Sequence, residues 1–145
     1  MNTQSLTIRS AVPEDVPDLL RIEEQSFCDA QWDENALLRY NCRVAEIAGG
    51  IAGFLVWRQI VSPSPEFPEE REILNLAVDP AWRRRGIARA LLEQELNTNV
   101  IYYLEVRESN IAAQLLYRSC GFVEVGRRPD YYHHPMEPAI VMKHE

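Results

Sequence analysis

The alternation of apolar and polar residues along the chain sets out a succession of strands and helices. Leu6-Thr7-Ile8-Arg9 alternates and predicts an edge strand. Pro13-Glu14-Asp15 opens a helix, with Asp15 as its cap and Pro17 in the first turn. Val16, Leu19, Leu20, Ile22 and Phe27 give that helix an apolar side. Trp32-Asp33-Glu34 starts a second short helix through Leu37, Leu38 and Tyr40. Arg43 to Ile47 and Ile51 to Val61 read as two strands joined at Gly49-Gly50, a hairpin signal. Ser62 to Glu70 carries Pro63, Pro65 and Pro68 and reads as a loop. A strand over 71–78 and a helix over 86–96 follow, the helix with apolar positions 87, 88, 91, 92 and 96. Asn97-Thr98-Asn99 ends it, and Ile101 to Val106 is a strong strand. Ser109-Asn110 caps a last helix, with Ile111, Leu115, Leu116 and Tyr117 on one side, and Gly121 stops it. Phe122 to Val125 and Ala139 to Lys143 complete the pattern as strands, with a loop between them. The order implies an α/β sandwich around one mixed sheet of about seven strands flanked by four helices, all in a single domain over residues 1–145.

The stretch from Asn75 to Leu92 carries the first chemical signal. Leu76, Ala77 and Val78 form a short apolar run that suits a central strand. Asp79-Pro80 stops it, and Gly86 opens the next helix without a Cβ in the way. A helix start leaves amide N–H groups unpaired, and with the helix dipole they attract an anion. Arginines 83, 84, 85 and 89 surround that start. The ligand this implies is a phosphate or pyrophosphate; the plainer alternative is a surface loop whose arginines stay in solvent. No lysine followed by Ser or Thr comes after the glycine, so this is no P-loop, and a single glycine does not make the dinucleotide fingerprint.

Charge narrows the partners. The 145 residues carry a net charge of −7, although four of the cations are gathered in that one loop. Such a chain lacks the basic face that nonspecific nucleic-acid binding needs. The acids of the first 35 residues read as a solvated helix face or as a rim that attracts a basic peptide. No apolar run approaches the roughly 18 residues of a membrane span, and the start of the chain lacks a signal-peptide pattern, so the expected compartment is the cytoplasm. Three cysteines without a CxxC pair, and two adjacent histidines, 133 and 134, give no metal-ligand spacing. No metal is expected.

Arg83-x-x-Gly86-x-Ala88 after a strand resembles the acetyl-CoA signature of the GNAT acetyltransferases. The run from Leu104 to Phe122, LEVRESNIAAQLLYRSCGF, closely resembles the RimI branch of that family. The resemblance also takes in Arg127-Arg128-x-x-Tyr131-Tyr132 and covers most of residues 71–143. It implies a GNAT fold whose strands 4 and 5 splay apart around acetyl-CoA. It assigns the pyrophosphate to the loop of Arg84, Arg85, Gly86, Ile87, Ala88 and Arg89. It assigns the pantetheine and the thioester carbonyl to backbone groups of Leu76, Ala77 and Val78, with Asn110 also on the pantetheine. The acceptor it implies is a protein N-terminus, that of a ribosomal protein, received by Tyr131 and Tyr132.

An acceptor α-amine has a pKa near ~8 and must lose a proton before it attacks a thioester. Glu105, between Leu104 and Val106, is placed to be a desolvated base, or else a strand residue turned to solvent by simple alternation. Tyr117 alone would read as a core tyrosine beside two leucines, and the resemblance makes it the general acid for the departing thiolate. Cys120 has no base beside it in sequence and reads as packing. Tyr131 and Tyr132 could equally be a plain hairpin surface. Two other functions fit the same motifs: acetylation of a small amine or a lysine side chain, and a CoA-binding regulatory module without catalysis.

Overall fold

The computed structural model describes residues 5–26, 39–61, 64–133 and 135–145. Its elements are β1 (Leu6–Ser10), α1 (Val16–Ser26), β2 (Asn41–Ile47), β3 (Gly50–Ile60), β4 (Glu69–Val78), α2 (Ile87–Glu95), β5 (Val100–Arg107), α3 (Ile111–Ser119), β6 (Val123–Tyr132) and β7 (Glu137–His144). Two short 3-10 turns, Pro13–Asp15 and Pro80–Trp82, lead into α1 and out of β4. The strands form one mixed sheet in the order β1-β2-β3-β4-β5-β7-β6. Three α-helices lie among the described residues where four are expected from sequence. The expected helix from Trp32 through Tyr40 lies outside those residues up to position 38, and residue 39 within them is helical; Phe27 and Cys28 also lie outside. The chain divides into two compact units, Met1–Trp57 with Asn75–Glu95, and Arg58–Leu74 with Leu96–Glu145.

In the first unit the hairpin turns on Ala48 and Gly49, at φ 53° and 79°. Both lie in the left-handed region that a two-residue hairpin with matching twist requires. Gly50 therefore opens β3 and is not part of the turn, one residue away from the expected Gly49-Gly50. Asp15, expected as a forward helix cap, turns back instead. Its carboxylate accepts from the Val12 amide at 2.8 Å and from Arg9 at 2.8 and 3.0 Å. The Arg9 hydrogen bonds hold the Asp15 carboxyl below its usual pKa, against the opposing effect of burial. Glu23 is buried as well, so the acids of α1 are not uniformly a solvated face or rim. The core here is Leu19 and Ile22 of α1, Val44 and Phe54 of the hairpin, and Leu91 and Leu92 of α2, all essentially without exposure.

β3 carries a bulge. Gly53 faces Ala45 and Ile51 faces Glu46, which leaves Ala52 unpaired with β2. The freed Ala52 carbonyl accepts the Asp79 amide at 2.7 Å. A Cβ on Gly53 would stand 2.8 Å from the Ala77 carbonyl oxygen and 3.3 Å from Ile87 Cγ2. Only glycine lets β3 come this close to the end of β4 and the start of α2.

In the second unit β4 and β5 pair in parallel from Glu69–Val100 to Ile73–Leu104. The ladder ends there, although β4 runs on to Val78 and β5 to Arg107. This is where strands 4 and 5 are expected to part. β5 alternates strictly: Tyr102, Leu104 and Val106 are buried, and Tyr103, Glu105 and Arg107 line the half-exposed face. The loop expected after Val125 is instead strand, because β6 continues to Tyr132. Its register against β7 slips between Glu124 and Gly126 and again between Arg128 and Tyr132, where Asp130 has a φ of 53°. On α3 the expected apolar side is partly reversed. Ile111 and Leu115 are 58% and 61% exposed, and Gln114 is the buried residue.

Gly53→Ala is expected to destabilise the protein by about 1–3 kcal/mol, because the new methyl meets backbone that cannot swing away. A urea-unfolding midpoint equal to that of the unsubstituted protein would refute the close-approach requirement.

Candidate active site

The anion loop is built in the first unit. Asp79 starts it, its carboxylate accepting from the Ala81 amide at 2.9 Å and from Arg21 at 3.0 Å. Arg83 makes its hydrogen bonds within the protein. It turns back to the Val78 carbonyl at 3.3 Å and to the Ser26 hydroxyl at 3.4 Å, bracing the loop against β4 and α1. Arg84 adopts φ 65° and Gly86 φ 75°, two left-handed residues within three positions. A non-glycine residue held there is strained, and such strain gathers at ligand sites. Gly86 accepts the Ala90 amide at 3.0 Å, so it stands at the start of α2 with the following amides open. A Cβ on Gly86 would meet no protein atom within 4 Å. Protein packing therefore leaves that space open, and the backbone angle alone demands glycine.

Most of the other residues expected to hold the cofactor lie in the same unit. Arg84 has no side-chain partner among the described residues. Arg85 lies over the Trp82 ring at 4.9 Å, and Arg89 reaches Glu93 at 3.7 Å. Ile87 is buried and Ala88 partly so; each has only its amide to offer a phosphate. Leu76, Ala77 and Val78 form the end of β4, and Ala77 is buried.

The titratable groups are built in the second unit. Glu105 projects from the half-exposed face of β5, yet its side chain is only 13% exposed. The geometry lies between the two readings of the sequence: alternation turns the residue outward, and neighbours then cover it. Arg128 Nε donates to Glu105 Oε1 at 2.9 Å, from a side chain 60% exposed. Glu105 Oε2 is buried and has no hydrogen-bond partner among the described residues. Burial, and then a hydrogen bond toward Glu105, raise the pKa of the Tyr131 hydroxyl. Tyr131 and Tyr132 meet edge to face at 5.0 Å. The Tyr132 hydroxyl is pushed up to about 12 by burial first and by the charge of Glu105 next. The bulge at 129–131 aims this pair, since it breaks the alternation that would send the two rings to opposite faces.

Tyr117 lies on α3, half-buried, its ring 5.8 Å from Phe122. Desolvation lifts its pKa, with smaller contributions from Tyr132 and Cys120. It therefore stays protonated well past neutral pH, as a proton donor must. Asn110 caps α3 by accepting the Ala113 amide at 3.1 Å, which leaves the NH2 of its side chain available to a ligand. Cys42 and Cys120 form no disulfide, and burial pushes the Cys42 thiol up to about 12. Among the described residues no group of His, Cys, Asp and Glu converges to hold a metal ion.

Two residues have roles that the sequence pattern did not disclose. Gln114, buried, donates to the Arg107 and Glu108 carbonyls at 3.1 and 2.8 Å and ties α3 to the end of β5. Arg128 is the counter-ion of Glu105. A glutamate on a covered strand face needs a cation, and that rule, applied to Arg127-Arg128, narrows the choice to two residues.

Residues 39–124 match the acetyltransferase (GNAT) domain family. An uncharacterised protein of Mycobacterium leprae is 36% identical over 99% of this chain, which spans only 42% of that relative's length. The N-alpha-acetyltransferase RimI of Mycobacterium tuberculosis is 34% identical over 99% of this chain and 95% of its own. In structure, the ribosomal-protein-S18-alanine N-acetyltransferase of Escherichia coli superposes with a TM-score of 0.80 and 33% identity over 97% of this chain and 93% of that one. A phosphate-ready helix start after a strand, and a glutamate and tyrosine in the LEVR…LY pattern, are thus seen on a fold shared with these enzymes. The chain belongs to the GNAT family of acetyltransferases and is a RimI-like N-acetyltransferase.

Proposed function

We propose that this protein transfers the acetyl group of acetyl-CoA to the α-amine of a protein N-terminus, the terminal alanine of a small-subunit ribosomal protein. The observation that carries the reading is the carboxylate of Glu105, with one oxygen ion-paired to a largely exposed arginine and the other buried without a hydrogen-bond partner among the described residues. A covered carboxylate whose cation is held from a largely exposed side chain suits exchange of that cation for an amine and removal of its proton. The acceptor preference rests on the relatives named for bS18-alanine and N-alpha acetylation. The reaction belongs in the cytoplasm, where ribosomal proteins are made, and no helix among the described residues is long and apolar enough to cross a membrane.

In this reading the amides from Gly86 to Arg89, with Arg84 and Arg85, hold the pyrophosphate. Backbone groups of Leu76 to Val78 and the Asn110 amide hold the pantetheine, one N–H serving the thioester carbonyl as an oxyanion donor. The amine arrives as an ammonium and takes the place of the Arg128 guanidinium at Glu105. Glu105 removes its proton, directly or through a water. The amine nitrogen bonds to the acetyl carbon, and the C–S bond then breaks. As that bond breaks the nitrogen releases its second proton to solvent, Tyr117 gives its proton to the departing sulfur, and the phenolate takes a proton back from water. Desolvation that raises the Tyr117 pKa raises that of a thiolate in the same surroundings too, so the transfer between them is not forfeited. Tyr131 and Tyr132 receive the first residues of the peptide.

Peptides beginning with Ala, Ser, Met or Lys, assayed against small amines with detection of released thiol, test the acceptor class. Preference for a small amine would overturn it. Tyr117→Phe is expected to lower kcat about a hundredfold or more while acetyl-CoA affinity stays unchanged. Because the Tyr117 pKa is raised, kcat in the unsubstituted enzyme should climb as the amine deprotonates near pH ~8 and hold to about pH 10. An unchanged kcat in the variant, or a wild-type rate that turns down with rising pH before about pH 9, would remove Tyr117 as the acid. Gly86→Val places a branched side chain at φ 75° over the phosphate position, and acetyl-CoA affinity measured by calorimetry should drop at least about tenfold. Arg128→Ala should lower the acceptor KM by up to about fivefold, the worth of a largely exposed ion pair, with kcat kept. A raised KM would mean that Arg128 binds the peptide itself.

A further inference from the structure

Arg107 closes the Leu104-Glu105-Val106-Arg107 run and has no part in the chemistry above. It lies two residues beyond Glu105, on the same face of β5. Its guanidinium is bound on every side. Nη1 donates to the Pro135 carbonyl at 3.0 Å and to Glu137 Oε1 at 3.2 Å, and Nη2 donates to the His133 carbonyl at 3.0 Å. The plane of charge lies over the Tyr132 ring, 4.4 Å from its centre. Glu137 is held from the other side by the Ser109 hydroxyl at 2.9 Å. So one side chain pins both ends of the β6–β7 turn and the face of a tyrosine.

We infer that Arg107 is the positioning residue of the acceptor side: it fixes the β6–β7 turn, and through it Tyr132 and Tyr131, beside Glu105. The inference rests on the proposed acceptor role of the two tyrosines and adds what holds them. β6 gives them little support of its own: its register is broken between Arg128 and Tyr132, and beyond the break Tyr132 is paired with Glu137 alone. A bulged strand end followed by a turn is free to open unless something crosses it. Only a planar fork with several donors reaches two carbonyls and a carboxylate at once while presenting a flat face to a ring; an ammonium is a point charge and does not. The occupied face of Tyr132 also leaves Tyr131 as the ring toward which Arg128 reaches, at 5.9 Å.

The test compares Arg107→Gln and Arg107→Lys in the full chain. Both should raise the KM for an alanine-terminated peptide about tenfold, since two tyrosines must then be ordered at the moment of binding. Acetyl-CoA affinity by calorimetry and kcat at saturating peptide should stay within about twofold. Restoration of the wild-type KM by lysine, or an equal loss of kcat with KM unchanged, would overturn the assignment. A second readout does not depend on turnover. In protein labelled with carbon-13 at tyrosine, the Tyr132 ring resonances should move in both variants toward those of a solvent-exposed tyrosine. If no peptide is acetylated even by the unsubstituted protein, the acceptor reading fails while the ring shifts still decide the role of Arg107; unmoved Tyr132 resonances would end it.

Discussion

A β-sheet that pairs all of its backbone has nothing left to offer a ligand. This protein breaks its ladders at a few places, and candidate chemistry lies beside several of the breaks. On β3 the unpaired Ala52 sends its carbonyl to Asp79 and so anchors the loop that leads to Gly86. Between β4 and β5 the parallel ladder stops at Ile73 and Leu104, and Glu105 is the next residue of β5. On β6 the slip between Arg128 and Tyr132 sets the cation and the two rings that meet Glu105. Each break leaves polar groups that must be satisfied otherwise, by a side chain or by a ligand.

The buried acids show how the function differs from the scaffold. Asp15 is bound twice by Arg9, with a backbone amide added, and Glu95 at 1% exposure is held by Arg43 at 3.1 Å. These pairs close on themselves. Glu105 has a single ion-pair contact, from the most exposed arginine of the three, with a hydrogen bond from Tyr131 and one oxygen without a hydrogen-bond partner among the described residues. A buried charge so lightly matched contributes little to stability. It is what a site needs if a substrate cation is to take the partner's place.

The sequence shows much of this because the signals are local. The strand–Asp79-Pro80–Gly86–helix order needs only the chain's own turn chemistry, and its element bounds agree with the structure to within a residue or two. The alternation of β5 likewise places Glu105 on its face. What is not legible depends on partners far along the chain. Ala52 and Gly53 look like ordinary strand residues until β4 and α2 are packed against them. The stretch after Val125 has Gly126 and Pro129 and reads as a loop; pairing with β7 makes it strand. On α3, helical spacing favours Ile111 and Leu115 for the core, but the carbonyls of Arg107 and Glu108 need a donor, and Gln114 turns inward to supply it.

The crowding at Gly53 has a mechanical consequence. One missing methyl lets the Ala77 carbonyl, the Val78 Cα and the Ile87 side chain gather within a single contact distance. The strand end and the first turn of α2 are thereby keyed to the same point, with the Asp79 amide latched to Ala52 next to it. A thrust on the helix tip is felt at once by the strand, with no slack to absorb it. On the proposed reading, the segment from Leu76 to Ala90 offers the cofactor two ends already spaced by packing within the protein.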